Sequence, residues 1–142
     1  MKHFEKKIVN HKPQDLFNLV VDIGKYPEFL PWCLGARVKK INENNLNADL
    51  IVGFKLYREV FKSNVVINKK QFEVKVEYLQ GPFNYLNNFW SFNKINERCE
   101  VVFSVDFALN TKILNKVMES FFKDGIKKMV KAFEERADFL YH

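Results

Sequence analysis

Cysteine is nearly missing from this chain: 142 residues contain only Cys33 and Cys99. The pair has neither metal-ligand spacing nor a histidine neighbour, and a secreted disulfide framework uses more. Both are read as reduced, small, buried side chains of a cytoplasmic protein. Histidine is as scarce, with His3, His11 and His142 near the ends. Five glycines and four prolines are too few for a collagen or a low-complexity polymer. A hydrophobic fraction of 47% is too high for a disordered chain. No apolar run nears the roughly 20 residues that a membrane span needs. Met1-Lys2-His3-Phe4-Glu5-Lys6-Lys7 lacks the apolar core and cleavage site of a secretory signal. The length suits one domain, and no repeat or linker divides it.

Aromatic residues and positive charge are what the chain has in excess. Fifteen Phe, five Tyr and two Trp are a large bulk for one small core. The net charge is +6, carried by nineteen lysines and only four arginines. A basic surface favours anionic partners such as lipid head groups, RNA or acidic proteins. A plain solvated surface is the alternative reading of the same lysines.

The hydrophobic pattern changes period along the chain. Lys2 to Val9 reads as a strand. Pro13 opens a short helix whose apolar positions are Leu16, Phe17, Val20 and Val21, with Gly24 as its predicted end. Pro27 and Pro31 forbid a regular helix or central strand across the aromatic segment Tyr26 to Cys33. In Leu46 to Leu56 every even position is apolar, the mark of a strand with one buried face. Phe61, Val65 and Ile67 continue the β pattern more softly, and Phe72, Val74, Val76 and Tyr78 alternate with charges. Leu86, Trp90 and Phe92 mark another strand, and Cys99 through Leu109 share a further face at odd positions. Gly81-Pro82 marks a turn or bulge. Short links imply antiparallel neighbours. From Leu114 to Tyr141 apolar residues recur every three or four positions, giving a long amphipathic helix capped by Asn110 or Thr111. The predicted class is α+β: a curved antiparallel sheet of about seven strands wrapped around a long C-terminal helix.

Three stretches then resemble a known family. Val20-Val21-Asp22-Ile23-Gly24-Lys25-Tyr26-Pro27-Glu28-Phe29-Leu30-Pro31-Trp32-Cys33 resembles a signature of the coenzyme Q-binding, polyketide cyclase-like branch of START domains. Gly81-Pro82-Phe83 with Leu86 and Trp90-Ser91-Phe92 is similar to a second, and Met129 to Ala137 to a third. The resemblance implies one helix-grip domain over residues 1–142. It also implies binding of a polyprenyl quinone (ubiquinone) as a lipid carrier in support of respiration. A bacterial subset of the same family comprises ribosome-association toxins that bind the large ribosomal subunit. No residue of this sequence separates the two readings, and a polyketide cyclase-like enzyme is a third.

An isoprenoid tail fixes what the chemistry must supply. Each five-carbon unit is worth up to roughly 4 kcal/mol on leaving water, at about 0.8 kcal/mol per CH₂. An apolar cavity is therefore predicted on the inner face of the sheet. Strand parity assigns its wall to Leu50, Val52, Phe54, Phe72, Val74 and Val76, and to Trp90, Phe92, Val101, Phe103 and Val105. The terminal helix closes it with Met118, Phe122, Met129 and Phe133. Simple packing of these residues on each other is the competing expectation. Tyr26, Phe29, Leu30 and Trp32 are the predicted mouth and membrane contact at the inner membrane, against a plug that fixes helix to sheet. No catalytic residue, metal ligand or cofactor is predicted; Asp22 and Glu28, the one carboxylate pair worth weighing, read better as solvated or backbone-bonded. For ribosomal RNA the relevant charges are Lys55, Arg58, Lys62, Lys69, Lys70 and Lys75 in the middle strands and Lys123, Lys127, Lys128 and Lys131 on the last helix.

Overall fold

A strand, Lys2–Val9 (β1), opens the chain, and a helix, Pro13–Val21 (α1), follows. A computed structural model describes every residue but Lys55, and Phe54 through its backbone alone. After α1 comes a 3-10 segment, Ile23–Glu28, then β2 (Cys33–Asn42), β3 (Asn45–Phe54), β4 (Tyr57–Asn68), β5 (Glu73–Gln80), β6 (Phe83–Ile95) and β7 (Arg98–Leu109). The long helix α2, Lys112–Leu140, closes the order. The seven strands form one antiparallel sheet in the order β1-β7-β6-β5-β4-β3-β2.

Side-chain parity decides the concave face. Leu46, Ala48 and Leu50 point inward from β3 and are buried. The ladder puts Leu50 opposite Phe61, Leu46 opposite Val65, Val65 opposite Val76, Val74 opposite Trp90, and Trp90 opposite Phe103. A one-residue slip in any strand would turn its row outward, so burial of this face holds the register. Gly81 has a φ of +153°, where an added Cβ would stand 3.0 Å from the Val60 carbonyl oxygen. Only glycine fits there without strain, and it sits beside the β4–β5 register shift at Lys62/Ser63.

Two local readings change, and the proline segment, which excludes a regular helix, takes a defined form. Helix α1 stops at Val21, before Gly24, and the Asp22 N–H donates to the Asn18 carbonyl at 3.2 Å. The segment around Pro27 forms a 3-10 turn, with bonds from Lys25 N to Asp22 O (3.1 Å) and from Leu30 N to Tyr26 O (2.9 Å) on either side of the proline. Strand β2 carries no alternation because it is an edge strand with only Cys33 buried. Its lysines and asparagine suit an exposed edge, where pairing with other chains must be discouraged.

Thr111 caps α2, its Oγ1 accepting from the Leu114 N–H at 3.2 Å. The helix is not gripped evenly. Its buried residues are Ile126, Phe133 and Ala137, all in the second half. That half is also tied by polar bridges: Arg136 Nη2 to Glu28 at 2.8 Å, His11 Nε2 to Asp138 at 2.7 Å, and Lys7 to Glu134. Residues 112–125 contribute no buried side chain. Gly125 marks the border, and a Cβ there would meet nothing within 4 Å. Gly125→Ala is therefore expected to raise stability by about 0.5–1 kcal/mol, through helix propensity alone; urea unfolding of the two proteins checks it.

Candidate functional site

The concave sheet and α2 enclose a cavity of about 340 Å³. Its floor is built by Leu50 and Val52 of β3, Phe61 and Val65 of β4, Val74 and Val76 of β5, Trp90 of β6, and Phe103 and Val105 of β7. Met118, Phe122, Met129 and Phe133 of α2 form the roof. Tyr26 and Trp32 close one side. The sequence assigns eleven of these from strand and helix parity; it assigns Tyr26 and Trp32 to the mouth instead. Parity also holds for Phe107 and Leu109, which extend the β7 row and were not singled out.

The remaining assignments fall elsewhere. Phe72 lies before β5 with φ at +54°, and its ring packs on Phe17 of α1 at 5.4 Å. Phe92 and Val101 face inward as predicted but lie too far along their strands, under α1. They line a second space of about 290 Å³ between β1, α1 and the second half of α2. Parity states the face of a sheet, not the depth along it. The Phe54 side chain lies outside the described residues.

The mouth expected at the proline segment is corrected. Tyr26 is 8% exposed and Leu30 2% exposed, so neither can touch a membrane. The Tyr26 hydroxyl donates to the Val20 carbonyl, which ties the 3-10 segment to α1. Burial drives its ionisation well above the ordinary phenol range. Phe29 is half-buried, and its ring meets Phe133 at 5.2 Å and lies under the Arg136 guanidinium at 5.3 Å. This segment is a wedge between helix and sheet. Trp32 is half-buried and turns into the cavity. At the far end the cavity is lined by Gly53 and Tyr57 at the β3–β4 turn, Pro82 at the β5–β6 turn, and Leu114, Val117 and Phe121 of α2, of which Val117 and Phe121 are also exposed to solvent.

The wall is almost wholly apolar. Its polar side chains are largely engaged by the protein itself. Ser63 Oγ donates to the Ala48 carbonyl at 3.4 Å. Asn88 donates from its amide to the Ser104 carbonyl at 2.9 Å and accepts from Trp90 Nε1 at 3.2 Å. No described Asp, Glu, His, Cys, Lys or Arg lines this cavity. Glu28 points outward to Arg136, which holds its carboxyl below the usual carboxylate range. Asp22 is exposed, and its backbone carbonyl closes the turn after α1 by accepting from Lys25 N at 3.1 Å. Burial pushes the Cys99 thiol up to about 11 and raises Cys33 as well, so neither is a ready nucleophile at neutral pH. His11 borders the second space, paired with Asp138. Among the described residues no three His, Cys, Asp or Glu side chains cluster to hold a metal.

A curved seven-stranded sheet closed by one long helix is shared with known proteins. Residues 9–134 match the family described as polyketide cyclase / dehydrase and lipid transport. The chain belongs to that family. Within the polyketide cyclase and lipid transport family, one relative is the ribosome association toxin RatA of Rickettsia prowazekii, 35% identical over 134 residues and 92% of each chain. Another is a mitochondrial coenzyme Q-binding protein of Xenopus laevis, 26% identical over 99% of this chain and 59% of its own length. A START superfamily protein from Mycobacterium smegmatis has the same fold, with a TM-score of 0.82 at 15% identity over 98% of both chains. So does the Streptomyces aromatase/cyclase Zhui, with a TM-score of 0.85 at 11% identity over 97% of this chain and 93% of that one. The fold is thus shared by proteins of different names. No described helix is long and apolar enough to cross a membrane.

Proposed function

We propose that the protein is a non-catalytic carrier that takes a polyprenyl quinone into the cavity beneath α2. The observation that carries this reading is the cavity itself: about 340 Å³ of space walled by aliphatic and aromatic side chains. Small-molecule pockets run from about 300 to 1,000 Å³, so this one holds a ring or a short run of isoprene units with the remainder extending out of it. Met118 and Met129 adapt to a variable chain because the thioether side chain is unbranched and flexible. Enzymatic cyclisation needs a group that moves protons, and the described wall provides only tyrosine hydroxyls, Ser63 and Asn88. The name of the Xenopus relative supports a quinone as the class of ligand.

Two tryptophans line the cavity, Trp32 and Trp90, and they are the only two in the chain. A soluble short-chain ubiquinone is expected to quench their fluorescence saturably, and organic extraction of the purified protein is expected to release quinone detectable by mass spectrometry. Neither effect in protein purified from a quinone-containing host would end the carrier reading.

A second reading is favoured by a different observation. The 35% identical relative is named as a ribosome association toxin, and the surface here is basic. Several of the lysines in question are engaged: Lys62 with Asp49 (3.7 Å), Lys69 with Glu43 (3.3 Å), Lys128 with Asp124 (3.1 Å) and Lys131 with Glu135 (3.8 Å). Arg58, Lys70, Lys75, Lys123 and Lys127 form no described ion pair; Lys55 lies outside the described residues. Salt-sensitive comigration of lipid-free protein with the large ribosomal subunit would favour this reading.

A further inference from the structure

A carrier needs a face that meets the bilayer, and we propose that this face is the end of the molecule made by the β3–β4 turn and the first turns of α2, docking on anionic lipid. The inference rests on the carrier reading and replaces the proline segment as the point of contact. Leu56 at the β3–β4 turn is 100% exposed, and Ile113 in the first turn of α2 is 78% exposed. Val117 and Phe121 are also exposed by more than a third. Scattered surface leucines need no explanation, but here Val117 and Phe121 line an apolar cavity, and Leu56 and Ile113 stand next in the chain to Tyr57 and Leu114, which line it too.

The charge around that end fits the same partner. Arg58, Lys112, Lys116 and Lys123 flank the apolar group, against Glu59 and Glu119. None of these four cations is in a described ion pair, so all four are open to an anionic partner. Unpaired lysines beside protruding aliphatic side chains match the interface of an anionic membrane, where stems enter the head-group region and ammonium groups meet phosphates. RNA would instead call for several exposed rings to stack on bases, and of these four side chains only Phe121 carries one. The half of α2 that carries Ile113, Lys116 and Val117 has no buried residue, so it can lift from the sheet as a ligand passes.

Cosedimentation with phosphatidylcholine vesicles, with and without phosphatidylglycerol, tests the proposal. The unaltered protein is expected to bind the anionic vesicles and to lose them as salt rises. Leu56→Asp/Ile113→Asp is expected to abolish binding. Lys112→Gln/Lys116→Gln is expected to weaken it roughly 30-fold, from the attraction of two lysines to an anionic surface. Lys39→Gln/Lys40→Gln, on the edge strand β2, is expected to change it much less. Each substituted site is exposed, and tryptophan quenching by short-chain ubiquinone in solution is expected to persist in every variant. No vesicle binding by the unaltered protein, unchanged binding by Leu56→Asp/Ile113→Asp, or an equal loss in the β2 variant would overturn the docking face. Vesicle binding without any quenching by quinone would instead overturn the carrier reading and leave the docking face in place.

Discussion

Replacing Phe133 with alanine is expected to lower the free energy of unfolding by about 3–5 kcal/mol, a large share of what a domain of this size has. Phe133 is one of three buried residues in the 29 of α2. Its ring meets Trp90 at 5.2 Å, Phe29 at 5.2 Å and Tyr26 at 5.5 Å, all edge-on. It therefore joins the helix, the sheet and the proline wedge at one point. Edge-to-face pairs add about 0.5–1.5 kcal/mol each beyond the area they bury. The ring also belongs to the wall between the cavity and the second space, so its loss merges two voids and leaves the neighbours little to collapse on. Urea unfolding with an unchanged m-value measures the effect. Phe122→Ala is the comparison: that ring is half-buried, faces the cavity and meets Phe107 at 5.4 Å. It should cost clearly less. Equal losses at the two positions would mean that the first half of α2 is held as firmly as the second.

Filling the cavity is expected to separate ligand binding from stability. Val76 and Val105 are half-buried and lie in one row, each opposite Asn88 in the ladder. Both line the cavity. Val76→Phe/Val105→Phe places two rings in space that is otherwise empty, so the added bulk strains the core little and stability should change by less than about 1.5 kcal/mol. The same rings displace the ligand. Excluding a single prenyl unit removes up to roughly 4 kcal/mol, nearly a thousandfold in affinity. Short-chain ubiquinone should then no longer quench Trp32 and Trp90. Retained quenching in a folded double variant would place the quinone outside this cavity.

How far the sequence could be read depends on how local each signal is. Alternation in β3, β5 and β7 marks the buried face because the side-chain period of a strand is two wherever it lies, and the ladder shows Leu50, Val74 and Phe103 on one surface. Thr111 is legible as a cap because its partner, the Leu114 N–H, is three residues away. Strand β2 is not legible, since an edge strand with one buried residue leaves no periodic trace. The mouth is misread for a related reason. Prolines and aromatics around Tyr26 look exposed in a linear reading, but the hydroxyl of Tyr26 and the ring of Phe29 find partners on α1 and α2, more than a hundred residues away in the latter case.

By itself the chain's order of residues determines the elements other than β2, the inward face of the alternating strands, the apolar stripe of α2 and the excess of positive charge. These follow from short-range rules: two residues per strand repeat, 3.6 per helical turn, and the charge of each side chain. The tertiary structure alone decides where space is left. A void is the mismatch between the curve of seven strands and the straight line of one helix, and it runs beneath α2 from Leu114 to Phe133, past the unanchored first half to the anchors Ile126 and Phe133. No window of sequence contains that mismatch, since its two surfaces come from opposite ends of the chain's middle and its last thirty residues.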